Sequence, residues 1–83
     1  MSVATRIRVS SVEHLKALCD NGAMDFVVGL TGGIFSRKNI SWDGEEFYVF
    51  NGIDGSCGSF TVESIQESFI GRAIEAGAVY TDL

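Results

Sequence analysis

Apolar residues recur at helical spacing in two segments of the chain, which predict helices over residues 11–20 and 62–76. Ser10 and Glu13 have the spacing of a capping box at the start of the first helix. Thr61 is the expected N-cap of the second segment, which we predict to form two short consecutive helices that end at Gly77.

The remaining apolar segments have the composition and alternation of β-strands. We predict strands over residues 6–9, 24–30, 34–42, 45–51 and 78–80. The intervening segment 52–59 contains three glycines and two serines, which favours a loop or a short irregular strand. The predicted order is therefore β-α-β-β-β-α-β. It corresponds to an α+β fold in which helices pack on one face of a small antiparallel sheet.

The dipeptide Asp43-Gly44 is the strongest local signal in the chain, because it favours a two-residue β-hairpin turn. Such a turn would pair Ile40 with Phe47 and place both on the face that the helices cover. Tyr48 and Phe50 would lie on the opposite face. The residues predicted to form the core are Leu15, Leu18, Phe26, Val28, Ile40, Phe47, Val49, Ile65 and Ile74.

The 83 residues are 46% hydrophobic, which indicates one folded domain over residues 1–83 with a thin core. We find no apolar segment of membrane-spanning length and no signal-peptide pattern, so we expect a cytoplasmic protein without a membrane partner. Two cysteines are few for a small secreted domain. We therefore expect Cys19 and Cys57 to be free thiols, although the sequence leaves a disulfide between them open.

The net charge of −5 is distributed unevenly along the chain. Residues 1–42 carry five basic and three acidic side chains, whereas residues 43–83 carry eight acidic side chains and one basic one. This balance disfavours direct binding to nucleic acid, which depends on Lys and Arg at the phosphates. The acidic excess of residues 43–83 favours binding to a basic protein surface, and it is equally compatible with a role in solubility alone.

Several catalytic and ligand-binding chemistries lack their usual residue patterns in this chain. Gly55-Ser56-Cys57-Gly58 does not have the spacing of a nucleophile elbow, and no local pattern pairs His14, the only histidine, with a cysteine. Thr31-Gly32-Gly33 precedes a predicted strand, whereas a phosphate-binding loop precedes a helix. The sequence also lacks zinc or calcium spacing around Asp54. We therefore expect no enzymatic activity, no cofactor and no metal.

Part of the chain resembles small orphan proteins of phages and other mobile elements. The segments that carry this resemblance are 29–36, 40–44, 47–49, 53–54 and 73–78, with the sequences GLTGGIFS, ISWDG, FYV, ID and AIEAGA. Some small acidic proteins of this kind are anti-CRISPR inhibitors of type I surveillance complexes. The resemblance implies a host-cytoplasmic phage protein that binds a Cas subunit and blocks target DNA binding by mimicking DNA.

Charge counting, independently of the resemblance, selects the candidate partner-binding residues. They are Asp43, Glu45 and Glu46 at the hairpin, followed by Asp54, Glu63 and Glu67. One alternative is a regulatory or structural interaction protein of a mobile element, monomeric or a homodimer formed through the face of Tyr48 and Phe50. The least favoured is a small cysteine-dependent enzyme with a pocket lined by His14, Cys57 or Asp54.

Overall fold

The computed structural model describes residues 6–20, 22–30, 32–51 and 55–82. Within them, six strands form one antiparallel sheet in the order β1-β6-β2-β3-β4-β5. The strands are β1 (Arg6–Arg8), β2 (Met24–Gly29), β3 (Phe35–Trp42), β4 (Phe47–Phe50), β5 (Cys57–Phe60) and β6 (Val79–Asp82). The helices are α1 (Val12–Leu18), α2 (Val62–Glu67) and α3 (Phe69–Glu75). The predicted α+β class and order of elements are confirmed.

Helix α1 begins one residue later than the predicted capping box. Ser11, rather than Ser10, is the N-cap, and its hydroxyl accepts the His14 N–H at 3.1 Å. The Ser10 N–H is in turn accepted by the His14 imidazole Nδ1 at 3.1 Å. The histidine therefore takes the part predicted for Glu13, because its ring reaches back over the first turn. Asn21, the residue that follows the predicted helix, lies outside the described residues.

The second helical segment is divided as predicted. Thr61 caps α2 by accepting the Ser64 N–H at 3.1 Å. Ser68 separates α2 from α3, since its hydroxyl donates to the Ile65 carbonyl at 2.6 Å and accepts the Ile70 N–H at 3.2 Å. Helix α3 ends before Gly77, whose φ of +72° favours glycine.

The β3–β4 hairpin has a different register from the one predicted. Trp42 pairs with Phe47 and Ile40 with Val49, whereas the sequence predicted Ile40 opposite Phe47. The turn has Gly44 and Glu45 at its tip, with Gly44 at a φ of +104°. The predicted turn type would have required a positive φ at Asp43, which a residue with a Cβ adopts at a cost. Moving the tip by one residue leaves glycine as the only left-handed position.

The glycine-rich segment contributes a sixth strand. Residues 57–60 pair antiparallel with β4, and Phe60 lies opposite Phe47. This is the short strand that the sequence allowed as one of two possibilities for the segment. It forms one edge of the sheet, and β1 forms the other.

The helices cover one face of the sheet and enclose the core. Eight of the nine predicted core residues are buried, and Leu18 is partly buried against them. The strand faces were therefore predicted correctly. Further buried residues are Val9, Cys19, Ile70, Ala73 and Val79.

Candidate functional site

The hairpin loop is shaped by the carboxylate of Asp43. Its Oδ1 atom accepts the N–H groups of Glu45 and Glu46, each at 2.7 Å, and the Asp43 N–H donates to the Glu46 carbonyl at 3.1 Å. These hydrogen bonds from the Glu46 and Glu45 amides hold the pKa of Asp43 below its usual value. Asp43 is therefore fully ionised at neutral pH, and its charge is committed to the loop.

Tyr48 connects this loop to the sheet. A hydrogen bond to the Asp43 carboxylate, and the negative charge of that group, raise the pKa of the Tyr48 hydroxyl. The phenol of Tyr48 therefore stays protonated at neutral pH, beside the carboxylate that shapes the loop.

A further predicted carboxylate lies at the same end of the sheet as the loop. Phe60 pairs with Phe47, the first residue after the loop, and α2 begins directly beyond Phe60. Glu63 is in the first turn of α2 and is exposed. We define the acidic end as Asp43, Glu45, Glu46 and Glu63.

The remaining two candidates are less closely associated with the acidic end. Glu67 is also exposed but lies four residues further along α2 than Glu63, a displacement of about 6 Å. Asp54 lies outside the described residues.

The carboxylates of the acidic end can attract cationic side chains of another molecule. Among them, Asp43 is already engaged by hydrogen bonds within its own loop. Glu45 is exposed and Glu46 is half-buried, and within the described residues no hydrogen bond or ion pair engages either carboxylate, so both are open to a partner's cations.

The two cysteines and the histidine, which are the candidate nucleophiles and base, do not form a cluster in the structure. Cys19 is buried, its thiol lies 3.5 Å from the Ile40 carbonyl, and burial raises its pKa to about 11. Cys57 is exposed on β5, and both cysteines are free thiols. The Nδ1 atom of His14 is engaged by Ser10. No group of three or more metal-ligating side chains occurs within the parts of the chain that the structure describes.

The sheet face opposite the helices, which we call the open face, carries aromatic and arginine side chains together. Phe35, Tyr48 and Phe50 are 61%, 39% and 43% exposed, and these side chains alternate with the core residues of their strands. The aromatic and charged residues of the open face are Arg6, Arg8, Asp25, Phe35, Arg37, Tyr48, Phe50, Tyr80 and Asp82.

Sequence reasoning placed Tyr48 and Phe50 on the open face but did not connect the arginines with it. The available signal was strand parity, because Arg6 and Arg8 alternate with apolar residues at positions 7 and 9. Arg37 is likewise an odd number of residues from Ile40, which was predicted to face the helices, so parity places Arg37 on the opposite face. The missing information was the strand order, which brings β1, β6, β2 and β3 side by side.

No described helix is both long and apolar enough to cross a membrane. Comparison of the chain with protein-family models, curated proteins and solved structures found no match to any of them.

Proposed function

We propose that this chain is a non-enzymatic binding protein that presents its acidic end to a basic surface of another protein. The observation that carries the proposal is the Asp43-centred loop. It holds Glu45 at the tip of a hydrogen-bonded hairpin and Glu46 at the next position, and Glu63 lies at the same end. Because hydrogen bonds hold the backbone of this loop, little backbone freedom is lost on binding, and the carboxylates attract Lys and Arg side chains over the range of a Debye length.

The resemblance to small phage proteins suggests which class of protein the proposed partner belongs to. A DNA-binding groove is lined with Lys and Arg that normally neutralise phosphates, and carboxylates can occupy the same positions. The proposed partner is a Cas subunit of a type I surveillance complex in the cytoplasm of the bacterial host. Occupancy of its groove would exclude target DNA, which is the action of an anti-CRISPR inhibitor by DNA mimicry.

The test is competition between the protein and labelled target DNA for a panel of purified type I complexes. The informative variant is Glu45→Lys with Glu46→Lys, which reverses both available charges and leaves Asp43 to shape the loop. Replacement of Asp43 would confound the test, because the loss of its hydrogen bonds would alter the loop itself. Wild-type protein should displace DNA, and the displacement should weaken as salt increases from low to physiological concentration.

A matched control is Glu13→Lys with Glu75→Lys. Both residues are exposed and lie at the opposite end of the sheet, since α1 begins just after β1 and α3 ends just before β6. This variant has the same net charge as the hairpin variant, so a general charge effect would reduce inhibition by both equally. We expect only the hairpin variant to lose inhibition. Undiminished DNA binding across the panel, or equal inhibition by the two variants, would refute the proposal.

A further inference from the structure

The open face is more basic than the net charge of the chain suggests. Three of the six basic residues, Arg6, Arg8 and Arg37, lie on it, and only two acidic residues, Asp25 and Asp82, accompany them among the described strands. The net charge of −5 arises from carboxylates elsewhere on the molecule. The composition of the whole chain is therefore a poor guide to what this face can bind.

Four side chains form one row across neighbouring strands of the open face. Arg8 lies opposite Tyr80, Tyr80 opposite Val27, and Val27 opposite Arg37. The row crosses three strand spacings, about 14 Å in all. It therefore places an arginine at each end, with an aromatic ring and an apolar side chain between them.

The two arginines at the ends of this row have no carboxylate partner in the described part of the chain. Arg6, by contrast, forms an ion pair with Asp82 at 3.4 Å and lies 5.7 Å from the centroid of the Tyr80 ring. The Arg8 side chain extends beside Gly77. Arg8 and Arg37 thus keep their charge and their hydrogen-bond donors available for an external anion.

Aromatic rings surround the row. Phe35 is two residues from Arg37 on β3 and is 61% exposed. A depression on the same face is lined by Arg6, Arg37, Phe50 and Tyr80, together with the carboxylates of Asp25 and Asp82. The exposed rings of Phe35 and Phe50 near the guanidinium of Arg37 match a ligand that offers both flat aromatic surfaces and negative charge.

The acidic end does not neutralise this region. Arg37 is five residues from Trp42 along β3, so the hairpin loop begins about 17 Å away. This separation exceeds the Debye length of about 8 Å at physiological ionic strength. The open face therefore presents its own local charge to a ligand.

We propose that the open face binds single-stranded nucleic acid. Arg8 and Arg37 contact phosphates, the exposed ring of Phe35 stacks on an unpaired base, and the half-buried ring of Tyr80 offers a second stacking surface beside Arg6. A single strand fits better than a duplex, because base pairing and stacking hide the flat surfaces that aromatic side chains use. The length of the row is sufficient for two or three bases. The proposal is independent of the acidic end and departs from the expectation drawn from net charge alone.

The test is fluorescence anisotropy with labelled 12-nucleotide single strands, oligo-dT and oligo-U, and with a labelled duplex. Wild-type protein should bind the single strands with a Kd on the order of 1–100 µM at about 50 mM salt, and the duplex more weakly. With two phosphate contacts, log K should fall with log salt at a slope of about −1.4. Arg8→Gln with Arg37→Gln should weaken binding about tenfold and bring the slope close to zero.

The matched control is Lys16→Gln with Arg72→Gln, which removes the same charge from α1 and α3 and should leave binding unchanged. Phe35→Leu removes an exposed ring and should weaken binding at least about fivefold. Thermal melting confirms that each variant is folded. Absence of single-strand binding by wild type, equal duplex binding, or equal loss in the two double variants would overturn the proposal. So would a wild-type dimer that binds no oligonucleotide, which would assign the open face to a second copy.

Discussion

Replacement of Gly71 by alanine tests the packing of α2 against α3, because two physical effects predict opposite signs. Glycine lowers helix stability, so propensity alone predicts that Gly71→Ala stabilises the protein by up to about 1 kcal/mol. The structure predicts the reverse. A Cβ at position 71 would lie 2.6 Å from the Cα of Gln66 and closer still to its carbonyl group, whereas ordinary contacts begin near 3.4 Å.

The size of the destabilisation expected for Gly71→Ala depends on which atoms must move to make room for the Cβ. The clashing atoms belong to the backbone of α2, so the two helices must separate by roughly 1 Å, which disturbs the buried Ile65 and Ile70. Overpacking of this kind costs about 3 kcal/mol, at the upper end of the usual range. After subtraction of the propensity gain, we expect a net loss of about 2 kcal/mol. This is a large part of the roughly 4–12 kcal/mol expected for a domain of this size.

The measurement is the free energy of unfolding in urea, with thermal melting followed by circular dichroism. A loss of about 2 kcal/mol should lower the melting temperature by about 8–16 °C. Ala17→Gly at an exposed position of α1 measures helix propensity in the same protein and should cost about 1 kcal/mol. A Gly71→Ala variant as stable as wild type, or more stable, would show that α2 and α3 are not in the close contact described here.

Three further predictions concern the core, the hairpin loop and the thiols. Phe47→Ala removes a fully buried ring and should lower the free energy of unfolding by about 3–5 kcal/mol; a melting temperature equal to that of wild type would contradict its burial. The pKa of Asp43 is lowered in the folded state, so its stabilising contribution is present above its unfolded pKa, near 3.8, and disappears as the pH falls through the folded value. As the pH falls from about 5 to about 2, the melting temperature of Asp43→Asn should therefore decrease less than that of wild type. An identical pH dependence would argue against the hydrogen bonds that the Asp43 carboxylate accepts. Alkylation followed by mass spectrometry should modify Cys57 rapidly in the native state and Cys19 only on unfolding, and equal rates would refute the burial of Cys19.

The hairpin shows why sequence could predict the core while missing the register. The structure shifts the pairing of β3 with β4 by two residues relative to the prediction. Because side chains alternate with a period of two, a shift of two returns each residue to its predicted face. Ile40, Phe47 and Val49 are therefore buried as expected, although each faces a different partner. A shift of one residue would have placed Phe47 and Val49 on the face opposite to Ile40.

The position of the turn depends on a side-chain contact that cannot be recognised from the dipeptide Asp43-Gly44 alone. Asp43-Gly44 favours a two-residue turn in sequence statistics, but the Asp43 side chain binds two amides beyond Gly44 and so moves the tip forward. Strand β5 illustrates a second limit. Cys57-Gly58-Ser59-Phe60 has no clear alternation, and its extended structure comes from pairing with β4.

The candidate site was predictable as a list of charges but not as two separate surfaces. The two surfaces are separated in space, because β1 and β3 present arginines to the open face, whereas the β3–β4 loop and the start of α2 carry carboxylates at one end of the sheet. The separation between Arg37 and this loop exceeds the Debye length, so charge changes on one surface leave the potential at the other almost unchanged at physiological salt. The hairpin charge reversal should therefore abolish competition with target DNA and preserve oligonucleotide binding, and the double arginine variant should do the opposite. If both variants impaired both activities equally, a single contact surface spanning the open face and the acidic end would be required.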